Sequence, residues 1–241
     1  MKKKKAKTYT QEKGEGFLFR ESFKILRTNL DFIASCRKCQ VILITSALPN
    51  DGKSTISLNL ASALGEAGKK VLLADCDLRK GSLGKMLEVF RQKDGITTLL
   101  SGKTTYQSPS LLLKREYFTF LPAGPTAPNP TELLASEKME HLIQELAKEY
   151  DYVILDTPPV CYMADAIAVG KYTDGAILVA RHKGTQVQAL KKAMSDLDTA
   201  GIQVIGTVLN QYDVKRAGSY GDGYYGYYDR YGYSSYAEEQ K

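Results

Sequence analysis

The chain has 241 residues, 43% of them hydrophobic and 25% charged, with a formal net charge of +6. This is the balance of an ordinary soluble globular protein with one large α/β core or two small ones. No apolar run approaches the ~18–20 residues that a bilayer crossing requires, the first residues lack the apolar stretch of a signal peptide, and four cysteines without framework spacing suit a reducing compartment. The expected location is the cytoplasm.

Much of the positive charge sits at Lys2, Lys3, Lys4, Lys5 and Lys7. Such a tip is either solvated or weakly drawn to an anionic membrane face, at ~1 kcal/mol per lysine. No basic helix follows, so nucleic acid is not an expected partner. Leu18, Phe23, Leu26, Leu30 and Ile33 then recur at helical spacing, with Glu21, Lys24 and Arg27 on one charged face. The spacing predicts an amphipathic helix ahead of the core. Its charges form either a solvated face with an internal ion pair or a dock for a neighbouring subunit. Cys36 and Cys39 form a lone C-x-x-C, and only His141 and His182 are available as further ligands. A four-ligand zinc site is therefore not expected, and a surface loop is.

Residues 41–55 organise the chain. The β-branched run Val41 to Thr45 predicts a buried strand. A short loop with Pro49, Asn50 and Asp51 leads to Gly52-Lys53-Ser54-Thr55, which opens a helix with Ile56, Leu60, Ala63 and Leu64 on its apolar positions. Strand, loop, Gly-Lys-Ser, helix is the Walker A arrangement. Amides at the helix start favour phosphate oxygens, Lys53 supplies a point charge, and the Ser54 hydroxyl suits Mg²⁺. The cofactor-binding set is Asn50, Asp51, Gly52, Lys53, Ser54 and Thr55. Ala47 stands where the full pattern has glycine.

Gly65 and Gly68 are expected to end that helix. Val71 to Ala74 reads as a second buried strand, and alternation places Asp75 and Asp77 on one side of its end with Cys76 opposite. Two carboxylates at the carboxyl end of a parallel strand stand where open α/β sheets hold ligands. Residues 81–116 suggest short helices and a surface excursion. Tyr117 to Leu121 predicts a strand, Pro122 to Pro130 a stiff loop, and Thr131 to about Lys148 one long helix. Tyr152 to Asp156, closed by Thr157, Pro158 and Pro159, has the Walker B pattern, in which the aspartate holds Mg²⁺ directly or through water. Cys161 and Met163 read as packing residues. Strands are expected at Gly175–Ala180 and Val204–Leu209, with a helix between them from about Val187 to Thr199; Asn210 closes the last strand. His141 and His182 read as exposed or satisfied. The alternation predicts a mostly parallel sheet with helices on both faces.

From about Lys215 the composition changes. Tyr220, Tyr224, Tyr225, Tyr227, Tyr228, Tyr231, Tyr233 and Tyr236 lie among glycines and acidic residues. Without aliphatic residues such a segment cannot offset its ordering entropy by packing. It is an aromatic low-complexity sticker, a stacking platform for bases, or a set of phenols that are themselves substrate. The acidic neighbours disfavour the second.

Together these motifs resemble the bacterial tyrosine kinases, the cytoplasmic kinase subunits of capsule and exopolysaccharide synthesis systems, in their split Gram-positive form. The carriers are Glu21 to Asn29, Ser46 to Thr55, Leu73 to Lys80, Leu121 to Pro125 with Asn129 to Leu133, Val153 to Pro159, and the tyrosine cluster. The family's loop also lacks the first glycine. The resemblance implies a basic N-terminus at 1–16, a P-loop kinase domain at 17–214 with a subunit-contact helix at 17–34, and a flexible tyrosine tail at 215–241. It implies ATP and Mg²⁺ as cofactors, with Ser54, Asp77 and Asp156 at the metal. Lys53 would hold phosphates, Asp75 would accept the tyrosine proton, Arg79 would stabilise the transferred phosphoryl group, and Asn210 would contact adenine. The eight tail tyrosines would be phosphorylated in trans, in a ring of subunits that forms while they are unmodified. A transmembrane activator (the polysaccharide co-polymerase subunit) would recruit the chain to the inner membrane face, and a tyrosine phosphatase would reverse the modification. The contact motif departs at Lys24, where the family often has arginine; lysine keeps the charge and loses the planar fork. The rival of the same fold class is a partition or division-site ATPase switch, which carries a second lysine where Leu48 stands. A nucleotide-binding adapter and an RNA-binding module are the readings from other classes.

Overall fold

The computed structural model describes residues 15–89, 93–106, 108 and 111–212. In chain order its elements are α1 (Glu15–Cys36), β1 (Val41–Ser46), α2 (Lys53–Glu66), β2 (Val71–Asp75), α3 (Ser82–Met86), α4 (Ile96–Leu100), β3 (Leu113–Lys114), β4 (Thr119–Leu121), α5 (Pro130–Leu134), α6 (Glu137–Glu149), β5 (Tyr152–Asp156), α7 (Asp165–Gly170), β6 (Gly175–Arg181), α8 (Val187–Thr199) and β7 (Val204–Asn210). The seven strands form one sheet in the order β3-β4-β2-β5-β1-β6-β7. All pairs are parallel except β3 with β4.

Period-two alternation divides the central strands between two cores. Val41, Leu43, Leu72, Ala74, Val153, Leu155, Ala176 and Leu178 face one core, with Leu142 and Leu146 of α6, Val169 of α7 and Leu197 of α8. Ile42, Ile44, Val71, Leu73, Ile154, Ile177 and Val179 face the other, with Phe23 and Leu30 of α1 and Ile56, Leu60 and Leu64 of α2. Strands buried on both sides explain their near-continuous apolar sequences. The result is a sheet between two helical layers.

Several expectations change. The helix expected from Thr131 to Lys148 is two helices. Ser136 interrupts it: its Oγ accepts from Met139 N at 3.3 Å and donates to Leu133 O at 2.7 Å, which caps α6 and closes α5. Gly65 lies within α2 rather than beyond it. A Cβ there would come within 1.8 Å of Tyr117 O, so this glycine admits the hairpin backbone. Helix α7 and strand β3 lie where no element was expected. The C-x-x-C is not a surface loop: Cys36 is the exposed last residue of α1, and Cys39 is buried. The basic N-terminal tip (residues 1–14) and all eight tail tyrosines, Tyr220 to Tyr236, lie outside the described residues. Among the described residues no helix is long and apolar enough to cross a membrane.

Candidate nucleotide site

The site lies at the carboxyl edge of the sheet, beyond β1. Residues 47–52 leave that strand, and two of them, Asn50 (φ 64°) and Gly52 (φ 93°), have left-handed backbones. Gly52 caps α2 with no side-chain bond to the helix start, so the first amides of α2 are left for an anion. Glycine is also required by space, because a Cβ at Gly52 would meet Asn210 Nδ2 at 1.9 Å.

Asp51 is a brace of this loop. It is buried; its Oδ2 accepts from Leu48 N at 3.0 Å, and its Oδ1 accepts from Thr185 Oγ1 at 2.8 Å. Thr185 Oγ1 in turn accepts from Arg181 N at 2.7 Å. Asn210 Nδ2 donates to the Asp51 carbonyl at 2.9 Å, and Asn210 Oδ1 accepts from Gln211 N at 2.9 Å. The loop is therefore tied to the ends of β6 and β7 by side chains that the motif alone does not reveal. His182 packs its ring against Tyr212, with centroids 4.8 Å apart.

On the other side of β1 the sheet register brings the acids together. Asp75 pairs with Asp156 across β2 and β5, and both are buried, as is Asp77. Ser54 Oγ donates to Asp156 Oδ2 at 2.7 Å, and Ser57 Oγ donates to Asp156 Oδ1 at 2.8 Å. Ser57 follows Ser54 by three residues, on the same face of α2; that spacing was the available signal for it. Burial pushes the Asp156 carboxyl up to about 6, against the pull of Lys53 and the two serine hydroxyls. Asp75 is pushed well above the usual carboxylate range, by burial first and then by the charges of Asp156 and Asp77. Its Oδ1 accepts from Asp77 N at 3.2 Å, whereas its buried Oδ2 has no hydrogen-bond partner among the described residues. Asp77 Oδ1 accepts from Lys80 N at 3.0 Å.

A buried acid cluster with an orphaned oxygen, beside a phosphate-binding loop, fits a Mg²⁺–nucleotide. Among the described residues no group of three or more histidine, cysteine or acidic side chains is placed to hold a metal by itself. Ser54, Asp77 and Asp156 would therefore share the ion with phosphate oxygens and water, as Mg²⁺ prefers.

Arg79 is engaged elsewhere on the rim. Its Nε donates to Asp165 Oδ2 at 2.7 Å and its Nη2 to Asp165 Oδ1 at 3.0 Å. Thr131 Oγ1 accepts from the same Nη2 at 3.1 Å and itself donates to Asp165 Oδ1. This two-pronged pair raises the Arg79 pKa still further. On α1, Glu21 and Lys24 pair with each other at 2.6 Å on the surface, and Arg27 Nη1 donates to Ala63 O of α2 at 3.1 Å.

A strand–loop–helix phosphate cradle, a strand-end aspartate bonded to the loop serine, and a parallel sheet between helices define a P-loop nucleotide-binding protein. Comparison with known proteins narrows this. The family model described as AAA domain matches residues 39–200. The chain is 36% identical over 211 residues to the tyrosine-protein kinase YwqD of Bacillus subtilis, covering 88% of each chain. It is also 36% identical over 215 residues to the tyrosine-protein kinase wzc of Salmonella typhimurium, where it spans 89% of itself but only 29% of that protein. Among solved structures, the kinase domain of the Escherichia coli tyrosine kinase ETK superposes with a TM-score of 0.78 at 29% identity, covering 92% of this chain and 90% of that one. The septum site-determining protein MinD of Pyrococcus horikoshii, complexed with Mg-ADP, gives 0.61 at 27% identity, covering 72% and 71%. The chain belongs to the bacterial tyrosine-protein kinase family.

Proposed function

We propose that this chain is an ATP- and Mg²⁺-dependent protein-tyrosine kinase that phosphorylates Tyr220 to Tyr236 on neighbouring copies and so regulates capsular or exopolysaccharide synthesis. The observation that carries the reading is the Asp75–Asp156 pair set by strand register beside the Ser54 hydroxyl. Phosphoryl transfer passes through a loose transition state, so positioning and charge neutralisation matter more than a strong base. Lys53 and the loop amides hold the phosphates. Ser54, Asp77 and Asp156 would hold Mg²⁺, which when bound would supply charge neutralisation to the transferring group. Asp75 orients the tyrosine hydroxyl and accepts its proton late in the transfer, with bound cation holding its carboxyl in the ionised form that a base requires. Arg79, paired with Asp165 in this structure, would have to turn from that pair to stabilise charge on the transferred group, and Asn210 holds the loop at the adenine side.

Each phosphate adds about −1.5 to −2 charges to the tail. Repulsion between modified tails and the acidic site would dissolve a ring held through the α1 face of Glu21, Lys24 and Arg27. A transmembrane activator at the inner membrane face would complete the active state, and a tyrosine phosphatase would reset it. The division-site ATPase reading shares the fold but not the tyrosine tail, and the ETK kinase domain superposes better than MinD does.

The test is phosphotyrosine formation with Mg²⁺-ATP and the activator's cytoplasmic segment, mapped by mass spectrometry. Phosphate on Tyr220 to Tyr236 is expected, reduced by on the order of 10³-fold in Lys53→Met. ATP hydrolysis without phosphotyrosine would replace the kinase with the ATPase switch.

A further inference from the structure

A nucleotide in this site has a fixed direction. The buried acids on β2 and β5 mark the end where phosphate charge is handled, and β6 and β7 flank the loop on the other side of β1. A triphosphate with its terminal phosphate near Ser54 and Asp156 must send its nucleoside over the carboxyl ends of β6 and β7.

Asn210, at the end of β7, has its amide committed to Asp51 O and Gln211 N. Its register partner is Arg181, the last residue of β6. The main chain of Arg181 is tied into the loop brace through Thr185, but its side chain is not. The Arg181 Nε is buried and has no hydrogen-bond partner among the described residues. Among the described residues the guanidinium makes no ion pair. It packs against Gly184, where a Cβ would lie 2.2 Å from Nε, 2.8 Å from Cζ and 2.9 Å from Nη2. A half-buried guanidinium with an unsatisfied donor carries a desolvation penalty that a ligand would relieve. Its flat cationic face suits a heteroaromatic base, and its edge suits ribose oxygens.

We propose that Arg181 is a nucleotide-contacting residue that binds the nucleoside end of ATP and ADP, and that Gly184 is small so that the guanidinium can lie there. The inference rests on the nucleotide-binding part of the proposed function and not on phosphate transfer to tyrosine, so the two can fail separately.

The experiment is isothermal titration of the full chain with Mg-ADP, and with inorganic tripolyphosphate in Mg²⁺ as the same kind of anion without a nucleoside. Arg181→Met is expected to weaken Mg-ADP at least tenfold and to leave tripolyphosphate within twofold. Gly184→Ala, whose methyl displaces the guanidinium, should reproduce the selective loss and keeps the test alive if Arg181→Met fails to fold. Thr185→Val, which loosens the loop brace, should weaken both ligands. Wild-type ADP affinity in both the Arg181 and Gly184 variants, or equal losses for ADP and tripolyphosphate, would overturn the proposal. A wild-type chain that binds no nucleotide would overturn it together with the nucleotide reading, whereas ADP binding without phosphotyrosine formation would leave it standing.

Discussion

The two sides of β1 solve opposite problems. Toward β6 and β7, the loop is held by a closed set of hydrogen bonds: Asp51 on Leu48 and Thr185, Thr185 on Arg181, and Asn210 on Asp51. Toward β2 and β5, the sheet register forces Asp75 beside Asp156 in a buried setting, and Asp75 Oδ2 is left without a partner among the described residues. The first side holds the loop's shape and leaves a cation, the Arg181 guanidinium, without an ion pair among the described residues; the second stores negative charge that a cation can relieve. Buried acids that lack partners are costly to the fold, and such costs cluster where chemistry is done.

Removing the stored charge is the largest available break. In Asp75→Asn, phosphate transfer is expected to fall by roughly 10²–10⁴-fold, the range for losing a general base, while thermal stability at pH 8 rises because the buried carboxylate is gone. Melting and phosphotyrosine assays on the same preparation check this. A variant that loses both stability and activity would show that Asp75 supports the fold rather than the reaction.

How much of this contrast was legible beforehand follows from range. Strand alternation, the Gly52–Thr55 run and the apolar approach to Asp156 are local patterns, and α8 falls at Val187–Thr199 as its spacing predicts. Interactions between distant segments left no such trace. Thr185 reaches Asp51 across 134 residues, and Asp165 reaches Arg79 across 86; neither residue belongs to a motif. Helix α7 spans six residues, too few for a helical period to register, and Ser136 divides two helices by a capping bond that periodicity does not encode.

The Arg79–Asp165 pair supplies the contrasting case, an acid on this side that is joined directly to a cation. Its two ends are unequal: the Asp165 side chain is 0% exposed and that of Arg79 is 37%. Arg79→Met leaves a buried carboxylate with only the Thr131 hydroxyl and should cost roughly 2–4 kcal/mol, the screened part of the range for breaking buried pairs. Asp165→Asn frees an arginine that can rehydrate, and should cost about half as much. Denaturant titration of the two variants measures the asymmetry; equal costs would mean that both ends are effectively desolvated.

The smallest effect is a pH dependence, and it tests the stored charge directly. Asp156 ionises at about 6 in the fold, against about 3.9 in an unfolded chain. A carboxyl raised in this way keeps its proton longer when folded, so its contribution to stability is intact below pH ~4 and is lost as pH rises through about 6. Asp156→Asn carries no such charge. The stability of this variant minus that of wild type, in EDTA and without nucleotide, should therefore widen by about 1–2 kcal/mol between pH 5 and pH 8. Loss of the Asp156 charge also eases the ionisation of Asp75, which acts in the same direction. Mg²⁺ and nucleotide should shrink the pH-dependent difference, because a cation held by the ionised form lowers the Asp156 pKa. A difference that stays flat across this range would mean that Ser54, Ser57 and Lys53 already compensate Asp156, and that the charge left for a ligand resides on Asp75 alone.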